Sequence, residues 1–153
     1  MRTVSTNLYT YDELSDKARS KARDWWRNLE ANDPPWLEDY RDSERAALKF
    51  IRLYSRPDNL DELYAATEAM RADPDKSCPW TGNSPDEVAI DAILAAKNQG
   101  DETSNQVCAK VEKAMSAAWD DEMEFTMSKA NVEDVLTCNG YEFTVDGRRA
   151  PNA

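Results

Sequence analysis

Residues 9–29, YTYDELSDKARSKARDWWRNL, constrain the fold of this chain more than any other stretch. Leu14, Ala18, Ala22, Trp25, Trp26 and Leu29 recur at steps of three and four, which sets them on one face of an α-helix. Ser15 stands where an N-cap hydroxyl would accept a backbone N–H, and Tyr9 and Tyr11 alternate just ahead of it as strand residues do. Lys17, Arg19, Lys21, Arg23 and Arg27 fall between the apolar positions and give the helix a basic outer face in an otherwise acidic chain.

Downstream, helices dominate. Pro34 and Pro35 stop the first helix, and a second runs over 36–54 on a stripe of Leu37, Tyr40, Ala47, Leu48, Ile51 and Tyr54. Arg56-Pro57-Asp58 interrupts it, and Asn59 caps a third helix over 60–72. Residues 73–84 are irregular, and Trp80 there is read either as tucked onto the core or as an exposed interface anchor. Ser84, Pro85 and Glu87 spell a capping box with proline at the first helical position, and the helix they start stops at Gly100. A fifth helix starts near Asp101 or Ser104 and is expected to continue through 120–127. Asn131 caps a short helix ending at Asn139-Gly140. A strand over 141–144, a turn at 145–147 and a return over 148–150 form a hairpin. Such a hairpin is marginal alone and is expected to pair with an N-terminal strand over 1–11. The predicted fold is one mainly helical α+β domain, residues 1–153, whose small antiparallel sheet joins its termini.

Composition limits the chemistry. In 153 residues there is no histidine, which removes the commonest general base and every Ser-His or Cys-His dyad. Cys78, Cys108 and Cys138 leave one thiol unpaired in any disulfide scheme and contain no CxxC, as expected of reduced thiols. No apolar run approaches the roughly 20 residues that span a bilayer, and the N-terminus lacks the apolar centre of a signal peptide. These features lead us to expect a soluble cytoplasmic protein without a membrane role. The net charge of −11 is uneven: residues 1–56 hold 11 Lys and Arg against 10 Asp and Glu, and residues 57–153 hold 8 against 20. A free nucleic-acid-binding surface needs the opposite sign, whereas an acidic surface suits a basic partner.

The densest carboxylate cluster is Asp120, Asp121, Glu122 and Glu124, with Glu133 and Asp134 further on. It fits no EF-hand spacing, and a catalytic pair would need two acids facing across a cleft. The remaining readings are a solvated acidic face or a patch that meets a cationic partner. Other acids recur from Asp58 to Glu112, and if several helices present them on one side they would imitate the phosphate spacing of a DNA duplex. The basic face of the first helix offers a competing reading as a phosphate contact, although Asp16 and Asp24 interleave it as in an ordinary ion-paired face. Adjacent Trp25 and Trp26 cannot share one helix direction, which makes Trp26 or Trp36, along with Trp80, candidate interface residues. There is no Gly-rich phosphate loop, GxSxG or HExxH.

Residues 9–27 resemble the opening of a group of small phage and prophage proteins, in which a strand leads into an ELS-type cap and an Ala-spaced helix. NGYEFTVDGRR at 139–149 resembles their ending. Residues 56–104 depart from that group's pattern and are read as a variable helical insert. The resemblance implies a phage or mobile-element context, in which inhibitors of host defence such as anti-CRISPR proteins are the class that fits best. The expected function is therefore a non-enzymatic, cofactor-free acidic inhibitor that binds a host protein or ribonucleoprotein complex through a basic surface. Its partner-binding residues would be Asp120, Asp121, Glu122, Glu124, Trp80 and Trp26. A DNA-associated accessory protein using the first helix is the alternative, and a carboxylate–metal enzyme ranks behind both.

Overall fold

A computed structural model describes residues 7–57, 59–75, 78–100 and 103–150. Among them the expected mainly helical α+β fold is observed, with six α-helices and a two-stranded antiparallel sheet. The chain divides into two compact units, residues 1–35 with 122–153, and residues 36–121. The insert read at 56–104 lies inside the second unit, which is wider on both sides.

The terminal unit holds β1 (Tyr9–Thr10), a 3₁₀ turn (Tyr11–Glu13), α1 (Asp16–Asn32), α6 (Lys129–Cys138) and β2 (Glu142–Phe143). Tyr9 pairs with Phe143 and Thr10 with Glu142, so the two ends of the chain do share a sheet. β1 is shorter than the expected strand. Residues 1–6 of that strand lie outside the described residues, and at its other end the Glu13 carboxylate accepts both the N–H and the hydroxyl of Thr10, coiling the chain at Tyr11. Those two hydrogen bonds hold the Glu13 carboxyl below the usual range. Ser15 caps α1 as expected, its Oγ accepting the Ala18 N–H at 3.2 Å. Ala18, Ala22 and Trp26 then pack with Tyr11, Leu14, Val132, Leu136 and Phe143. Trp25 meets Tyr141 and Phe143 edge-on, whereas Leu29 stays outside the core at 52% exposure. α6 begins one turn earlier than read: Ser128 accepts the Asn131 N–H, and the Asn131 amide instead donates to the Thr126 carbonyl.

The C-terminal turn docks on α1. Gly147 adopts φ +87°, and a Cβ added there would stand 2.2 Å from the Ala18 carbonyl oxygen. The turn is tied by the Gly147 N–H donating to Thr144 and the Thr144 N–H donating to Arg148, while the Ala150 N–H donates to Glu142.

The helical unit consists of α2 (Leu37–Tyr54), α3 (Asp61–Ala72), α4 (Pro85–Gln99) and the part of α5 (Ser104–Met127) up to Asp121. Its core joins Ala47 and Ile51 of α2, Leu63 and Tyr64 of α3, Ala89, Ile93 and Ala96 of α4, and Val107, Val111 and Met115 of α5. Alanines at three of these positions allow close helix–helix approach. α3 starts one residue later than read, with Leu60 at the cap position and Asn59 accepting the Asp61 N–H from outside it, while Gly100 ends α4 in the left-handed conformation as read. α5 opens with a reciprocal cap between Thr103 and Gln106 that the sequence reading missed. All three cysteines are free.

The start of α4 differs in mechanism from the expectation. Ser84 is already helical and makes no side-chain cap, and Glu87 is exposed. The residue between them, Asp86, turns inward and is fully buried. Its Oδ1 accepts the hydroxyls of Ser43 at 2.6 Å and Thr81 at 2.8 Å, and its Oδ2 accepts the N–H groups of Trp80 at 3.0 Å and Thr81 at 2.9 Å. One carboxylate thereby fastens the 78–84 loop to α2.

Two substitutions test these constraints by urea unfolding. Asp86→Ala leaves two buried hydroxyls and two N–H groups without their acceptor and is expected to cost roughly 3 kcal/mol. Gly147→Ala adds a steric clash to an unfavourable φ and is expected to cost about 3 kcal/mol, whereas an alanine at Gly140, where a Cβ meets nothing within 4 Å, costs less.

Candidate partner-binding site

The helical unit carries most of the negative charge: 10 Lys and Arg against 18 Asp and Glu, or −8 of the total −11. Many of its acids are answered locally. Glu38 pairs with Arg41, Asp42 with Arg45, Glu62 with Arg56, Glu68 with Lys97 and Asp91 with Arg71. A phosphate-like lattice spread over α2, α3 and α4 thus loses half of its acids to ion pairs, leaving Asp61 and Glu87 exposed without one among the described residues. On α5, by contrast, Glu112, Asp120 and Asp121 are exposed and carry no ion pair among the described residues. Asp120 and Asp121 stand about two turns before the end of α5, whose last turn has no basic residue.

A groove lies along the same stripe of α5. Glu112, Ser116 and Asp120 are four residues apart and share one helix side. Ser116 lines a cavity of about 170 Å³ with Met115 and Trp119 from α5 and Leu37, Tyr40, Arg41 and Glu44 from α2. The Tyr40 and Trp119 rings meet edge to face at 5.2 Å. Arg41 is tied to Glu38 at 3.2 Å. Glu44 occupies an inward position of α2, four residues after Tyr40 and three before Ala47, and is half-buried without an ion pair among the described residues. Burial pushes its carboxyl above the usual range, and the negative charge of Glu112 adds to that rise.

The residues read from sequence divide between the units. Asp120 and Asp121 close the α5 segment of the helical unit, whereas half-buried Glu122 and exposed Glu124 belong to the terminal unit. Of the three tryptophan candidates, Trp26 and Trp80 are drawn onto cores and Trp36 is exposed. Trp26 is 6% exposed in the terminal core, because it falls on the Ala18–Ala22 stripe. Trp80 packs on the helical core and against Phe50 at 5.3 Å, drawn in by its backbone bond to Asp86. The exposed indole is Trp36, at 64%, and Phe125 of the terminal unit is 65% exposed. The sequence reading missed Glu44 and Tyr40 as site residues, although a carboxylate on an apolar stripe was a visible signal.

The basic face of α1 is mostly engaged inside the terminal unit. Arg19 donates to the carbonyls of Tyr11 and Asp12, Arg23 to the Tyr11 hydroxyl at 2.8 Å, and Arg27 to the Met127 carbonyl at 3.0 Å. Among the described residues no group of three or more His, Cys, Asp and Glu is placed to hold a metal ion, and no helix is long and apolar enough to cross a membrane. Compared with known proteins, the chain matches no family model, no curated sequence and no solved structure.

Glu44 gives a pH test. Its folded-state pKa lies above the ordinary 4.5, so the folded form holds the proton longer, and its contribution to stability declines as pH rises through the folded value. Glu44→Gln is expected to raise the melting temperature at pH 7 and to leave it unchanged well below pH 4.5. Equal shifts at both pH values would remove the assignment.

Proposed function

We propose that this is a phage-borne binding protein of the bacterial cytoplasm, which inhibits a host defence complex by covering a cationic, nucleic-acid-binding surface. The observation that carries the reading is the set of exposed carboxylates, Glu112, Asp120 and Asp121, that have no ion pair among the described residues along α5, beside the α2–α5 groove. Anionic groups held on a folded helix compete with phosphate for the same Lys and Arg contacts, and the competition weakens with salt. The α5 acids replace the many-helix duplex imitation as the source of charge, because Glu38, Asp42, Glu62, Glu68 and Asp91 on α2, α3 and α4 have cationic partners of their own.

The two segments that resemble phage proteins support the division of labour. Tyr11, Leu14, Ala18, Ala22, Trp26 and Phe143 from those segments all lie in the terminal core, so the shared motifs build a frame. Residues 56–104, which depart from the group's pattern, lie inside the helical unit, and the α2 and α5 segments that carry the groove and the free carboxylates flank them on either side. The DNA-associated alternative is weakened by the internal engagement of Arg19, Arg23 and Arg27.

A triple charge reversal, Glu112→Lys, Asp120→Lys and Asp121→Lys, tests the reading. Retention of a host nucleic-acid-binding complex on the immobilised protein at low salt is expected to fall at least tenfold, without loss of melting temperature. Unchanged retention would falsify it. A gel shift of duplex DNA by the wild-type protein alone at low salt would favour the alternative.

A further inference from the structure

The α2–α5 groove combines three properties that seldom coincide by chance in a solvated surface cleft. Its walls are aromatic and thioether: Tyr40, Trp119 and Met115. It holds a carboxylate, Glu44, that is partly desolvated and has no ion pair among the described residues. A second carboxylate, Glu112, acts on the first, and Asp120 lies one turn beyond Ser116 on the same stripe. A neutral apolar occupant would leave Glu44 further desolvated and uncompensated, which is costly. An anion would be repelled. A compact ammonium would satisfy the charge but stays strongly hydrated and fills the aromatic walls poorly. A guanidinium is planar, weakly hydrated, stacks on aromatic faces and donates to carboxylates in a fork, while its aliphatic stem covers apolar surface.

We propose that this groove seats one arginine side chain of a protein partner, with its guanidinium at Glu44 within the field of Glu112 and its stem against Tyr40, Met115 and Trp119. The inference rests on the reading of the partner as a cationic protein and names the contact by which that partner is anchored. Arg41 already lines the groove as a cation, paired outward with Glu38 at 3.2 Å, so it opposes the incoming charge and sets a limit on affinity. Occupation would bring positive charge to Glu44 and reverse the rise in its pKa.

The test uses the full chain and small probes: N-acetyl-arginine amide, N-acetyl-lysine amide and N-acetyl-citrulline amide. The readout is the indole N–H signal of Trp119 in nitrogen-correlated NMR spectra, assigned by its loss in Trp119→Phe. Arginine amide is expected to shift that signal saturably, lysine amide several-fold more weakly, and the uncharged citrulline isostere not at all. Glu44→Gln should weaken arginine binding at least fivefold, Glu112→Gln about twofold, and Arg41→Gln should tighten it. No shift with arginine amide, or the same affinity in Glu44→Gln, overturns the proposal. Arginine binding in a chain that retains no host complex supports the pocket and counts against the wider function. Retention by Glu44→Gln equal to wild type counts against the pocket as the anchor and leaves the α5 acids as the basis of binding.

Discussion

The carboxylate of Asp86 is the constraint on which the helical unit depends. A buried acid is costly unless its lone pairs are filled, and here two hydroxyls and two backbone N–H groups fill them. Because the donors come from α2 and from the loop before α4, satisfying the charge also fixes where that loop runs. Trp80 follows as a consequence, carried onto Phe50 and the core by its own backbone bond. The indole N–H of Trp80 is buried without a hydrogen-bond partner among the described residues, a cost that the rest of the arrangement offsets.

With α2 held in this way, its remaining inward positions determine the candidate site. Tyr40 and Glu44 lie two turns and one turn ahead of Ala47 on the face that meets α5. An apolar residue at Glu44 would complete an ordinary helix contact; the carboxylate instead leaves a groove with aromatic walls and an unmet charge. Glu112 of α5 works in the same direction, since its negative charge adds to the rise in the Glu44 pKa. Several local terms in this region therefore run against stability, a pattern common where a surface is shaped for binding rather than for folding.

Much of the fold was legible in the sequence because periodicity and helix punctuation act locally. The Ala18–Ala22 stripe, the Ser15 cap, the break at Pro34-Pro35 and the stop at Gly100 all depend on neighbours within a turn or two. The pairing of Tyr9 with Phe143 was also readable, since a marginal hairpin needs another strand. Errors arose where a side chain had to choose between a local and a distant partner. Ser84 and Glu87 spelled a cap, but Asp86 won the loop by reaching Ser43, which is 43 residues away in sequence. Trp26 and Trp80 were candidate anchors because an indole's burial depends on packing that no local pattern encodes. The acidic cluster was visible as composition, yet its division between two units and the lack of local ion pairs around it required coordinates.

The interruption of the terminal unit by 86 intervening residues has a consequence for the order in which a growing polypeptide takes shape. Residues 36–121 contain all the contacts of the helical core and can condense as soon as they have been synthesised. β1 and α1 are synthesised before the helical unit but must wait for β2 and the Gly147 turn, which follow it, so their apolar stripe stays uncovered until those segments are made. The terminal unit thus closes only after the helical unit has been made, and anything that stalls translation before Gly147 leaves the Trp26 face open to other chains.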